Sequence, residues 1–174
     1  MTETSVTPRP GSDENDDAVE RVATALRGEG LWKVDGVWLE FATLPSPGNY
    51  PRLRQLWLDS PKSCRNRHVP MAVVARAAML AGEHTEARLL LRKATLCAAK
   101  KHRRLKTRLR RALALGKRPQ VAIAVDGIDA GAETRTTLRY LELYNAVATR
   151  DKTRRAQRIA ELTDHGEGEW LTRL

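Results

Sequence analysis

The sequence predicts a mainly α protein, with a short N-terminal helix and a β-hairpin in front and two to three antiparallel helical hairpins behind. Three observations lead there. Ala, Leu and Arg dominate while aromatics reach only 5%, a balance that favours helix over strand. From Pro70 onward apolar residues recur at spacings of three and four. Between Leu31 and Glu40, LWKV and VWLE flank Asp35-Gly36, a strong two-residue hairpin signal. A hydrophobic content of 41% over 174 residues is enough to build a core.

Charge divides the chain. The net charge is +10, yet residues 1–60 sum to −4 and residues 61–174 to +14. Composition and charge together delimit an acidic disordered tail over 1–16, a helix and β-hairpin subdomain over 17–60, a basic helical domain over 61–165, and a tail over 166–174. Two cysteines form no disulfide framework and point to reduced thiols, hence an intracellular protein, cytoplasmic, or nuclear in a eukaryotic host. No apolar run approaches the roughly 18 residues that a membrane span requires, and the acidic N-terminus does not resemble a targeting peptide.

In chain order, Asp16 or Asp17 caps a helix over Ala18–Arg27 whose Val19, Val22, Ala23 and Leu26 share a face. In the hairpin, pairing Val34 with Val37 puts Trp32, Val34, Val37 and Leu39 on one side and Lys33, Trp38 and Glu40 on the other. Trp38 on the polar side is expected to be half-covered by a loop or to stack on a base. LPSPGNYP, from Leu44, reads as a linker, followed by a short helix over Arg52–Leu58 and a basic loop over Ser60–Val69. A helix from Pro70 to Leu80, with Met71, Val74, Ala75, Ala78 and Met79 in one stripe, ends at Gly82. Thr85 begins the next, with Ala87, Leu91, Ala94 and Ala98 inward. Its periodicity continues through His102, Leu105, Leu109 and Ala112, so either one helix to Leu115 or two with a break near residue 102 satisfies the pattern. Pro119 opens a segment to Ala130 that reads as a helix or, through VAIAV, a strand. Thr134–Ala148, with Leu138, Leu141 and Ala146 or Tyr144 inward, and Lys152–Leu162 form a last pair.

Small Ala75, Gly82 at the turn, and Ala87, Leu91 and Ala94 fall where a tetratricopeptide hairpin has its small and apolar positions. A shift of about 34 residues, the period of that family, aligns Ala75 with Leu109 and Leu143, Ala78 with Ala112 and Ala146, and Gly82 with Gly116. Residues 70–164 therefore resemble that family. The resemblance implies stacked helical hairpins presenting a groove to a partner.

The chemistry concentrates between Lys100 and Arg111. Lys100, Lys101, Arg103, Arg104, Lys106, Arg108, Arg110 and Arg111 are eight cations in twelve residues with no acid among them. A helical period puts Lys100, Arg103, Arg104, Arg108 and Arg111 opposite Leu105, Leu109 and Ala112. Such a face suits a phosphate backbone, where each cation releases a counterion and each guanidinium forks onto oxygens. Arg154, Arg155 and Arg158, with Arg150 and Lys152, form a second basic set, and Arg65, Arg67 and His68 a third. The expected partner is nucleic acid, RNA favoured over DNA because few aromatics are available to stack on bases. An acidic protein is the alternative partner of a repeat scaffold, and a homo-oligomer is compatible with either. A winged DNA binder over Asp17–Ala42 is disfavoured by its acidity. The expected role is regulatory or accessory, of the kind a viral silencing suppressor plays.

Cys64, His68, Cys97 and His102 form a formal Cys2His2 donor set, but on a continuous helix Cys97 and His102 point about 140° apart. Zinc is therefore not expected, nor any cofactor. No histidine has a recognisable nucleophile partner and no glycine-rich phosphate loop occurs, so catalysis is not expected either.

Overall fold

Helix α5, His68–Leu80, is the axis on which the helices at residues 35–43, 50–59 and 84–98 pack. The computed structural model describes residues 12–43, 49–100, 103–115 and 132–164. In chain order they form α1 (Ser12–Gly28), a 3-10 turn (Leu31–Lys33), α2 (Asp35–Thr43), α3 (Tyr50–Asp59), α4 (Lys62–Arg65), α5, α6 (His84–Ala98), α7 (Arg103–Leu115), α8 (Ala132–Val147) and α9 (Lys152–Asp164). Helix is the only regular structure among the described residues, so the expected β-hairpin is corrected and the mainly α class stands.

The correction at residues 31–43 has a physical cause. An isolated two-stranded hairpin is marginal in water, and among the described residues no other strand extends it. The helix instead puts Trp38 and Phe41, three residues apart, on one buried face with ring centroids 6.0 Å apart. Trp38 is fully buried rather than half-covered on a polar side, and its indole N–H donates to the Trp32 carbonyl at 3.1 Å. Asp35 opens α2 instead of a turn. Its carboxylate receives the Arg67 guanidinium at 2.8 Å, and the same guanidinium donates to the Lys33 carbonyl. The left-handed residue that the chain needs here is Gly30, φ 66°, ahead of the 3-10 turn.

Helix α1 begins earlier than expected, at Ser12, with its Val19, Val22, Ala23 and Leu26 face buried as the period predicts. Tyr50 and Arg54 on α3 both reach Glu86 on α6. The Tyr50 hydroxyl donates to one carboxylate oxygen, and Arg54 Nε lies 2.9 and 3.1 Å from the pair. The basic loop expected over Ser60–Val69 contains the single-turn α4, and α5 starts at His68, with Pro70 in its first turn where a missing N–H costs nothing.

Between α5 and α6 the chain makes a Schellman turn. Gly82, φ 82°, donates to the Met79 carbonyl and Glu83 donates to that of Ala78. The two helices run antiparallel, with Ala72, Ala75 and Ala78 against Ala87, Leu91 and Ala94, all buried to 0% exposure and allowing close approach. Tyr140 on α8 meets His68 at the start of α5, its hydroxyl 2.9 Å from Nδ1. Arg155 on α9 acts electrostatically on His84 at the start of α6. Helix α8 therefore runs back along α6 and α9 returns beside α8. Leu138 faces outward, contrary to the sequence pattern, and Tyr140, Leu141, Leu143, Ala146 and Val147 form the inner face.

One apolar core runs from Val19 through α2, α3, α5, α6 and α8 to Ile159. A smaller one joins α7 to its neighbours through Ala99, Leu105, Leu109, Ala112, Leu113 and Leu141. The periodicity that left residues 85–115 open resolves into two helices, the first ending at Ala98 and the second starting at Arg103. The expected element over Pro119–Ala130 and both tails lie outside the described residues.

Candidate nucleic-acid interface

Helix α7 takes its form from its sequence alone. RRLKTRLRRALAL contains no glycine, proline or β-branched residue apart from Thr107, whose hydroxyl donates to the Arg103 carbonyl at 3.0 Å. Leu105, Leu109, Ala112 and Leu113 are buried, at 0–4% exposure, against Ala99 and Leu141, with Leu96 and Tyr144 at the edge. Arg103, Arg104, Arg108, Arg110 and Arg111 are exposed and Lys106 is half-buried. Lys100 is exposed just beyond the end of α6, while Lys101 and His102 lie outside the described residues. Among the described residues, Arg103, Arg104, Arg110 and Arg111 make no ion pair with a carboxylate.

The order of charges along α7 works against the helix. Its first turn holds Arg103, Arg104 and Lys106 and no acid, although the positive end of the dipole there disfavours each cation by about 0.3–1 kcal/mol. Helix α9 repeats the arrangement with Lys152, Arg154 and Arg155 after the capping Asp151, whose carboxylate accepts from the Arg154 backbone N–H at 3.1 Å. An anion bound at either helix start would relieve this cost, because backbone N–H groups and side-chain cations there act on the same ligand.

The structure separates the basic sets. The α7 set sits on Ala99 and Leu141, near the end of α6. Arg155, half-buried, donates to the Thr149 carbonyl at 3.3 Å and stands beside His84 at the other end, about 20 Å along α6. Arg154 and Arg158 face a different space, a cleft of about 500 Å³ between α8 and α9. Its other polar walls are Glu142, Asn145, Thr149 and Gln157, with Ala146 at its base. Sequence reasoning missed these four residues. Spacings of three and four show that Glu142, Asn145 and Thr149 share a face, but which face of α9 they oppose is a tertiary fact. Of the third basic set, Arg67 is occupied by Asp35 and Lys33, and His68 by Tyr140.

The formal metal donors are placed for other work. Cys64 is fully buried, and Cys97 donates its thiol to the Asn66 carbonyl at 3.0 Å. Burial pushes both thiols up, against the pull of Arg67 and, at Cys97, of Lys100 and Lys106, which leaves them protonated and weakly nucleophilic. Among the described residues no three His, Cys, Asp or Glu side chains come together to hold a metal ion. The His84 imidazole is pushed down, first by burial and then by Arg155. Among the described residues no helix is long and apolar enough to cross a membrane.

Comparison with known protein families, curated proteins and solved structures finds no match to this chain.

Proposed function

We propose that this protein binds nucleic acid, RNA in preference to DNA, along the exposed face of α7, in a regulatory or accessory role with no catalytic step. The observation that carries the reading is one helix with buried leucines on one side and exposed arginines on the other, of which Arg103, Arg104, Arg110 and Arg111 lack carboxylate partners among the described residues. From Arg103 to Arg111 the face is about 12 Å long, enough to meet several phosphates. Arginine forks onto phosphate oxygens, and a rigid helix holds those forks in register.

Preference for duplex or structured RNA follows from how little aromatic surface the described residues offer. Base-stacking platforms need exposed aromatic faces, whereas among the described residues Trp38 and Tyr140 are fully buried and Trp32, Trp57 and Tyr144 are partly covered by the core. Recognition therefore rests on phosphates and helix shape, which A-form RNA offers in its 2′-hydroxyl-lined groove.

The test is to titrate the protein with duplex RNA, and with DNA of the same sequence, over a range of salt. Affinity is expected to fall steeply, the log–log slope approaching about −0.9 for each phosphate neutralised. Arg103→Gln, Arg104→Gln, Arg110→Gln and Arg111→Gln together should flatten it by about three to four units while the thermal midpoint holds. A salt-independent affinity, or full binding by that variant, overturns the reading.

A further inference from the structure

The acid-free part of the chain is longer than α7. Between Arg88 and Arg111 stand eleven cations and no carboxylate, and the first three of them, Arg88, Arg92 and Lys93, belong to α6. All three are exposed, whereas α6 turns Ala87, Leu91 and Ala94 into the core. The one acid of α6, Glu86, is engaged by Tyr50 and Arg54 of α3. Among the described residues Arg88, Arg92 and Lys93 make no ion pair with a carboxylate.

The tertiary structure brings this set against the α7 face. Arg88, Arg92 and Leu96 follow one another at intervals of four and form a single ridge on α6. Leu96 is partly buried against the cluster of Leu105, Leu109, Ala112 and Leu113, beside Ala99, so α7 docks on the end of that ridge. Where α7 no longer covers it, the ridge continues as Arg92, about 6 Å along the helix from Leu96, and Arg88, about 12 Å along. Lys93 flanks Arg92, and Lys100 is exposed just past the end of α6. Arg88 and Arg92 lie one turn apart and repel each other. A face that serves solubility intersperses both signs, but here one sign extends over two packed helices, which suits a polyanion. An acidic peptide would have to place carboxylates on both helices at once. A duplex carries its phosphates in continuous rows and meets both without rearrangement.

We propose that α6 and α7 form one phosphate-binding surface, in which Arg88, Arg92 and Lys93 extend the α7 face along a structured RNA. The proposal rests on the nucleic-acid reading and enlarges its site by a second helix.

The experiment titrates three variants of the full-length protein with duplex RNA over a range of salt. Arg88→Gln, Arg92→Gln and Lys93→Gln together should flatten the log–log slope by about two to three units while the thermal midpoint holds. Arg21→Gln, Lys33→Gln and Lys62→Gln together remove the same charge from exposed positions on α1, the 3-10 turn and α4. This control should change the slope by less than about one unit. Leu89, 50% exposed beside the ridge, offers a test that leaves every cation in place. Leu89→Glu sets a carboxylate three and four residues before Arg92 and Lys93, where it pairs with them, and should weaken duplex binding by about threefold to tenfold at low salt without loss of stability. An unchanged slope in the α6 variant, an equal flattening by the control, or full binding by Leu89→Glu overturns the proposal. Poly-glutamate binding as tight as duplex RNA at the same salt assigns the face to acidic proteins and overturns it too. If the quadruple α7 variant flattens the slope and the α6 variant does not, the α6 extension alone fails. If the α6 variant flattens it and the α7 variant does not, the α7 reading alone fails.

Discussion

Helices α5 and α7 are both thirteen residues long and use their side chains in opposite ways. In α5 all residues from Val69 to Met79 except Arg76 are buried, under a cover of α2, α3 and α6. Among the described side chains of α7, Leu105, Leu109, Ala112 and Leu113 are the buried ones, and six cations occupy much of the rest. The first helix holds the fold together and the second is displayed by it. A stripe of four apolar residues is enough to dock a helix, which leaves the remaining surface for a ligand.

The contrast breaks most sharply when the same charge is placed on each helix. Val74→Asp buries an unpaired carboxylate in α5, at a cost of about 3–5 kcal/mol, enough to remove the cooperative urea transition. Arg104→Asp, in the first turn of α7, is expected to shift stability by no more than about 0.5 kcal/mol, because an acid there suits the helix dipole, while weakening RNA binding. Equal losses of stability would mean that α7 is as structural as α5.

A smaller effect tests the cover over α5. Burial first, then the hydrogen bond and charge of Glu86, push the Tyr50 phenol up to about 12. Between pH 10 and 12 the folded protein keeps a proton that the unfolded chain releases, so this stability is complete below about pH 10 and disappears as pH rises toward 12. The unfolding free energy from urea melts should fall by about 1–2 kcal/mol over that interval. Tyr50→Phe should make the decline shallower, leaving the part due to Tyr140, which deeper burial pushes the same way. An identical slope in the variant would show that the Tyr50–Glu86 contact does not couple α3 to α6.

The smallest expected effect concerns the one cation of α5. Burial lowers the Arg76 guanidinium below its ordinary value, and its Nε is buried without an acceptor. Arg76→Met keeps the length of the side chain and removes the charge, so it should stabilise the protein by on the order of 1 kcal/mol. Destabilisation would assign Arg76 a partner or packing role that the contrast with α7 omits.

Much of the helical scaffold was legible from spacing. The Val19–Leu26 stripe, the Gly82 turn and the leucine seam of α7 all appear in the structure, because each depends on residues within two or three turns of one another. The errors occur where a local signal competes with a distant partner. Asp35-Gly36 favours a hairpin only while Arg67, thirty-two residues away, is ignored. Alternation assigned Trp38 to a polar side, whereas its spacing from Phe41 marked a helical face. Apolar spacing points Leu138 inward, but Thr136, Thr137 and Tyr140 hold the buried positions around it. In the candidate site, the arginines of α7 were visible as a run of charge, while the cleft was not, since its two walls lie on helices whose facing surfaces no period specifies.

By itself, the sequence determined the helical class, the position of most turns and the segregation of charge into α7, because backbone propensity and i, i+3, i+4 spacing act within a single helix. Only the tertiary structure decided that residues 35–43 coil around Trp38, that Arg67 and Arg155 are tied to carbonyls, and that Glu142 faces Arg154 and Arg158. Those outcomes depend on burial and hydrogen bonds between residues distant in the chain, where the free energy of a side chain is set by what is packed against it.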